Sequence, residues 1–386
     1  MPFNQRKNHT LLILFILTIL FNASGSFAQK LSMAEAKHAG DSIIPEAILP
    51  FWQSLTLKEK VAQTLMVYMP SASYIKKHQF GGVLIMKPHL KDTLHLKEEL
   101  SLANESLKIP LLTAIDQEGG KVNRLQAISP EWKNLPSAKE MRTMTDDSVY
   151  NLAKQIGNAL HHYGINLNLA PVLDPPKDSK GKPSFIEVSN RSFGEFETAV
   201  PKIRSFVKGM KESKVLSTSK HFPGYDSWTN SDHQIAFSTS SKEIILRNVE
   251  LFKEFADEIP VVMLSSVRFV RLSNTPAVFN PKITAMAREI SPYTVLLTDD
   301  LWGVSLRAWI SGTDKVKGKN YPSKDFKKLI RTVLWARNDM FMITYPAKAV
   351  EMIAYLEWLG KKYPEYRLRI EQAAARIIRL KYLSGI

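Results

Sequence analysis

The chain has 386 residues, a net charge of +15 and no cysteine. Lacking cysteine, it has no disulfide, no thiolate nucleophile and no Cys-ligated metal, and a chain this long can bury a full core without such staples. The positive charge is spread along the sequence rather than clustered on one helix or ribbon. That pattern fits a solvated basic surface, and no nucleic-acid partner is expected.

Arg6 and Lys7 precede an apolar run at 11–21, and Ser26-Phe27-Ala28 supplies small residues ahead of a cleavage point at Gln29. Residues 1–28 therefore read as a signal peptide, and the protein is expected to be exported, periplasmic or secreted. The run falls short of the roughly 20 apolar residues of a membrane span. No cysteine follows it to carry a lipid, so no stable membrane anchor is expected. Residues 29–50 read as a leader segment, and 51–386 as a single domain.

Thr56 followed by Glu59 is a capping box and predicts a helix start. Apolar segments of strand character then recur at 65–68, 82–86, 111–116, 165–173, 215–219, 261–267, 294–298 and 340–344. Most are near-continuous apolar runs, as expected of strands buried on both faces of a parallel sheet. Helical stretches lie between several of them. The segment 147–163 places Val149, Leu152, Ile156, Leu160 and Tyr163 on one face, and 199–213, 242–257 and 371–382 are similar. Alternating strands and helices predict an α/β fold, a (β/α)8 TIM-like barrel. The competing arrangement is a doubly wound open sheet. The barrel is preferred because no Gly-x-Gly-x-x-Gly or phosphate loop is present. Two basic, turn-rich excursions are expected as loops, at 174–190 and 315–324.

The strand ends carry the chemistry-bearing residues. The third ends in Asp116-Gln117-Glu118-Gly119-Gly120, and the fourth in Asp174, with Asn190-Arg191 after its loop. The fifth ends in Lys220-His221 and the seventh in Asp299-Asp300. In a barrel these all open onto one face. Carboxylates, cations and a histidine converging there suit sugar chemistry. Hydroxyls are held by charged hydrogen-bonding partners, and glycosyl transfer needs a carboxylate nucleophile plus a proton donor. Histidine can be that donor. A metal-dependent hydrolase barrel is the rival reading. No His-x-His or His-Glu-x-x-His spacing supports it, and the adjacent His161 and His162 point about 100° apart on a helix. No metal or other cofactor is expected.

Together these segments resemble glycoside hydrolase family 3, specifically the single-domain β-N-acetylhexosaminidases of the NagZ type, from about Leu57 to the C-terminus. Asp116-Gln117-Glu118-Gly119-Gly120-Lys121-Val122-Asn123-Arg124-Leu125 is similar to the family's D-Q-E-G-G-R-V-Q-R-L. Ala170-Pro171-Val172-Leu173-Asp174 matches A-P-V-L-D, and Arg191-Ser192-Phe193-Gly194 matches R-S-F-G. Lys220-His221-Phe222-Pro223-Gly224 matches K-H-F-P-G, and Thr298-Asp299-Asp300-Leu301 matches T-D-D-L. Ala336-Arg337-Asn338-Asp339-Met340 follows A-G-N-D-M, with Arg337 in place of glycine.

The resemblance implies that 51–386 is the family's N-terminal-type barrel domain, with Asp299 as a nucleophile that forms a covalent glycosyl-enzyme. It implies that Asp116, Arg124, Arg191, Lys220 and His221 hold the sugar. Asp300 is expected to start a helix or support the site from behind. The family's proton donor lies in K-H-F-P-G-H-G-x-x-x-x-D-S-H, whose final Asp and His form a dyad. Lys220 to His233 has the same length, so His233 falls on the acid/base. Ser231, however, falls on the dyad Asp, and the carboxylate has moved to Asp232. Asp226 is a second carboxylate that could swing in. On strand six, Ser265-Ser266-Val267 stands where the family commonly has A-H-V. Tyr225 and Trp228 add aromatic surface that either stacks on a sugar or packs the loop.

The expected function is an exported retaining β-N-acetylhexosaminidase acting on N-acetylglucosamine-containing glycans such as peptidoglycan fragments, transferring to water or to phosphate. The alternative is a catalytically weakened homologue that binds sugars or cell-wall fragments.

Overall fold

The computed structural model describes residues 31–313 and 321–386. The signal-peptide reading of 1–28 lies outside the described residues. Met33–Ile386 form one compact unit. Eight strands build its centre: β1 (Leu65–Tyr68), β2 (Gly82–Ile85), β3 (Leu112–Ile115), β4 (Leu167–Asn168), β5 (Leu216–Phe222), β6 (Val261–Leu264), β7 (Val295–Thr298) and β8 (Phe341–Ile343). Strands β2 to β7 each pair in parallel with the strand before them in sequence, and β8 pairs in parallel with β1. The ring closes between β7 and β8 through a parallel bridge at Leu297 and Met340, where the Thr298 N–H donates to the Met340 carbonyl (2.9 Å). The sheet is a (β/α)8 barrel, not a doubly wound open sheet.

The pleat explains the unbroken apolar runs. Met66, Leu84, Leu112, Ala114, Val295 and Leu297 fill the barrel interior, while their neighbours Val67, Val83, Ile85, Ile115 and Leu296 face outward under the helices. Successive strand residues point to opposite faces, so two buried faces demand two apolar sets. Outside, Thr56 and Glu59 form the expected capping box at helix Leu57–Gln63. Helix Asp146–His162, capped by Thr145, packs on helix Phe196–Glu212. Glycines permit their close approach. A Cβ on Gly209 would lie 2.6 Å from the Tyr150 carbonyl, and one on Gly157 2.6 Å from the Ser213 Cβ. No helix among the described residues is long and apolar enough to cross a membrane.

The leader segment has structure from Met33 onward. Trp52 is buried, donates its indole N–H to Asp41 (2.8 Å) and lies under the Lys60 ammonium. With Ile43, Ile44 and Leu55 it packs against Ala374, Ala375 and Ile378 of the last helix, Pro364–Leu383. That helix begins earlier than the expected 371, with Pro364 in its first turn, a position that tolerates the missing N–H.

Two strands depart from expectation in length. β4 is short because Pro171 has no N–H to continue the ladder. β5 runs on through Lys220 and His221 to Phe222, aided by a bridge from Lys220 to Val172 and by the Leu173 N–H on the Lys220 carbonyl (2.7 Å). The Lys-His pair therefore lies at the end of the strand, as expected, with Phe222 one residue beyond it.

Candidate active site

At the C-terminal end of the barrel, a cavity of about 310 Å³ opens among Asp116, Arg124, Arg191, Lys220, His221, Asp232 and Asp299. This is the volume scale of a small-ligand site. Of the residues expected in the site, only His233 is absent from the lining. A larger hollow of about 460 Å³ lies beside the ends of β1 and β2, lined by Met69, His89 and Glu99, with no lysine or arginine. Burial lowers the His89 pKa, and both its ring nitrogens are engaged by the backbone, with the Met86 N–H (3.0 Å) and the Met69 carbonyl (3.2 Å).

One side of the cavity is an ion network. Lys220 Nζ donates to Asp116 Oδ1 (2.6 Å) and lies 2.5 Å from Glu118 Oε1. Arg191 forks onto both Glu118 oxygens (2.8 Å each), and Arg124 reaches Asp116 (3.3 Å). Burial by itself would raise the Glu118 carboxyl, but Arg191 and Lys220 outweigh it and hold it far below the usual carboxylate range. Burial likewise opposes the charge on Arg191, yet Glu118 keeps it firmly protonated. Glu118 does not line the cavity. It anchors from beneath the two cations that do.

Local sequence builds this frame. After β3, Gly119 and Gly120 take positive φ (93° and 53°), and a Cβ on Gly119 would lie 2.1 Å from the Pro136 carbonyl. The buried Gln117 side chain accepts the Arg124 and Leu125 N–H groups (2.7 and 3.0 Å), which sets where Arg124 enters the cavity.

His221 is oriented in the same way. Its Nδ1 lies 2.6 Å from Asp174 Oδ2; a carboxylate only accepts, so Nδ1 carries the proton, and Nε2 has no partner among the described residues. Asp174 Oδ1 also accepts the His221 and Tyr225 backbone N–H groups (2.8 and 2.6 Å).

Opposite stands Asp299, at the end of β7. Ser266 Oγ donates to its Oδ2 (2.6 Å), and the Asp300 N–H donates to its Oδ1 (2.8 Å). Both donors are neutral, so the carboxylate is aimed but has no ion-pair partner among the described residues. Asp300 corrects part of its expectation. It does not cap the next helix, which starts at Val304 after Gly303. Its carboxylate instead accepts the Thr344 hydroxyl and N–H and the Trp302 N–H, tying β7 to β8, and burial raises its pKa.

The loop after β5 is held by Tyr225. Its hydroxyl donates to the Thr229 carbonyl (2.5 Å) and accepts the Ser231 N–H (2.8 Å), and burial pushes its pKa up to about 12. Tyr225 thus packs the loop, while Trp228 stays 66% exposed. Asp226 does not swing into the cavity. It is buried beneath the loop, accepts the Ser240 hydroxyl, and burial raises its pKa. Ser231 and Asp232 line the cavity, Asp232 at its exposed rim, whereas the equally exposed His233 does not line it. Among the described residues, no group of three or more His, Cys, Asp or Glu is arranged to hold a metal ion.

Sequence reasoning did not identify Glu118, Asp174 and Ser266 as working parts of the site. The signal for the first two is their position: each is an acidic residue at a strand end that also carries cavity residues. Ser266 stood out only as a departure from the family pattern.

Fold and site define a class: a (β/α)8 barrel with a cup of carboxylates and cations on its C-terminal face. The sequence pattern of the glycosyl hydrolase family 3 N-terminal domain matches residues 56–380, and the chain belongs to that family. A β-hexosaminidase of Pseudomonas aeruginosa is 28% identical over 238 residues, 59% of this chain and 68% of that protein. One from Actinobacillus pleuropneumoniae is 28% identical over 208 residues, and that match spans 51% of this chain and only 58% of the relative's length. Among solved structures, the β-N-acetylhexosaminidase of Beutenbergia cavernae superposes with a TM-score of 0.72 at 22% identity, covering 86% of this chain and 99% of that one. A family 3 β-N-acetylglucosaminidase from Paenibacillus gives 0.71 at 25% identity, covering 86% and 63%.

Proposed function

We propose that this protein is a retaining β-N-acetylhexosaminidase, exported, and acting on N-acetylglucosamine-containing glycans such as peptidoglycan fragments. The observation that carries the reading is Asp299: a carboxylate aimed by two neutral donors into a cavity whose facing wall is an ion network suited to sugar hydroxyls. An unpaired, fixed carboxylate is what nucleophilic attack on an anomeric carbon needs. Lys220, Arg191, Arg124 and Asp116 hold the sugar, and His221, fixed by Asp174, presents Nε2 to it. The relatives named β-hexosaminidases support the substrate class, and the residue pattern of 1–28 supports export.

Incubation with a fluorinated N-acetylglucosaminide analogue, followed by mass spectrometry, tests the reading. The expected result is a covalent adduct on Asp299. Unchanged turnover of an aryl β-N-acetylglucosaminide in Asp299→Ala would overturn it. The outward position of His233 favours a second reading, a weakened homologue that binds such glycans without cleaving them. Turnover of the aryl substrate by the wild type, lost in Asp299→Ala, rules that out.

A further inference from the structure

We propose that Asp232, rather than His233, is the general acid and base of this site, an inference that rests on the glycosidase reading above. Four carboxylates line the cavity: Asp116, Asp232, Asp299 and Asp300. Asp116 is bound to Lys220 and Arg124, and Asp300 to Thr344 and Trp302. Three of the four thus lack a cation among the described residues, and of these Asp300 is committed to tying β7 to β8, which leaves Asp299 and Asp232. Asp299 is oriented by Ser266 and by a backbone N–H. Asp232 makes no side-chain hydrogen bond or ion pair to any described residue; only its backbone N–H is engaged, by Asn230 Oδ1 (2.9 Å). A retaining glycosidase needs two carboxyl groups in unlike environments, one fixed for attack and one free to exchange a proton.

The loop explains why the carboxylate reaches in and the imidazole does not. Tyr225 pins Ser231 through its hydroxyl, and the chain then turns, with the His233 N–H on the Asn230 carbonyl (3.4 Å). Both residues are exposed, but Asp232 is the last residue of this turn to line the cavity; His233 does not line it, and its ring has no partner among the described residues. Asp232 and Asp299 also share a neighbour. The Tyr225 phenol, raised first by burial, is raised further by the negative charges of both. The one-residue displacement of the acid along the loop therefore replaces a histidine held by an aspartate with an aspartic acid acting directly.

In the first step an Asp299 oxygen bonds to the anomeric carbon as the glycosidic C–O bond breaks, and the Asp232 carboxyl proton passes to the departing oxygen. In the second, the Asp232 carboxylate takes a proton from water. The water oxygen bonds to the anomeric carbon, and Asp299 leaves as carboxylate. Asp232 ends protonated, as it began.

Asp232→Ala and His233→Ala are compared on aryl β-N-acetylglucosaminides with good and poor leaving groups, with and without azide. Asp232→Ala should lose on the order of 10²–10⁴-fold on the poor leaving group and much less on cleavage of the good one. Azide, which needs no deprotonation, should restore its turnover and give the glycosyl azide. His233→Ala should stay within a few-fold of wild type on both. The proposal fails if the leaving-group-dependent loss and azide rescue appear in His233→Ala or in His221→Asn instead. It also fails if Asp232→Ala falls equally on both substrates without rescue. Asp232→Asn, which keeps the side-chain volume, should show the same leaving-group dependence, so misfolding cannot imitate the result. Wild type that turns over neither substrate and forms no Asp299 adduct would instead overturn the glycosidase reading itself, and this proposal with it.

Discussion

The two walls of the cavity are built in opposite ways. On the β3–β5 side, Asp116, Glu118, Arg191 and Lys220 fix one another by mutual ion pairs, and each charge is held by at least one neighbour. On the loop side, one phenol holds the turn, and the side chain of Asp232, which lines the cavity, has no partner among the described residues. The contrast teaches a division of labour. Buried charges must be paired to be tolerated at all, so the wall that holds a substrate is rigid. A proton carrier must change charge during each turnover, so it belongs on the open, lightly held wall.

The strongest test of the comparison is Asp299→Ala, which removes the fixed nucleophile between the walls. Activity on an aryl β-N-acetylglucosaminide should fall about 10⁴-fold or more, measured as kcat, while the thermal midpoint hardly changes.

Glu118→Gln breaks the rigid wall from beneath, leaving Lys220 and Arg191 short of a counter-charge. Loss of a buried partner of this kind costs about 3–5 kcal/mol, read in urea unfolding, and KM should rise with it. The pH dependence follows in sign. Glu118 has a folded pKa far below its unfolded value of about 4.3, so its contribution is present above that pH and fades as pH falls further. The mutant should lose this acid-side slope.

Ser266→Ala leaves Asp299 in place but removes one of its two donors. A drop in kcat of about 10-fold with KM little changed is expected, the size of one hydrogen bond to a charged group. An unchanged kcat would mean that the Asp300 N–H alone aims the nucleophile.

Tyr225→Phe is the smallest perturbation and addresses the loose wall. Two hydrogen bonds are lost, about 1–2 kcal/mol in all. Here the pH dependence runs the other way. The phenol is held neutral, with a folded pKa of about 12 against about 10 unfolded. Its stabilisation is full below pH 10 and declines as pH rises through that interval. Stability curves from pH 9 to 12 should be flatter in the mutant. The paired wall is thus the acid-sensitive one and the loop the alkali-sensitive one.

The barrel was readable because both strand faces are buried and leave unbroken apolar runs, as at 82–86 and 294–298. The expected eight strands all form, with errors confined to ends such as Pro171 and Lys220, where pairing with a neighbour sets the length. Asp116, Arg124, Arg191, Lys220, His221 and Asp299 could be nominated because each stands at or just after a strand end inside a family motif. Which of them are paired, and by what, was not readable. Glu118 and Lys220 are distant in sequence, and only the curvature of the sheet brings β3 and β5 side chains together.

By itself, the sequence determined the strand-and-helix alternation, the face of the barrel that carries the charges, and the identity of the carboxylate at the end of β7. These follow from local patterns: apolar periodicity, glycine turns and residue types at strand ends. Only the tertiary structure decided that Asp226 is buried, that Asp300 joins two strands rather than capping a helix, and that Asp232 lines the rim of the cavity while His233 does not. The physical reason is that these placements depend on a turn anchored by Tyr225 and on contacts across the barrel. The one-residue shift of the loop carboxylate is visible in the sequence, but which side chain it brings to the cavity is set by these distant contacts.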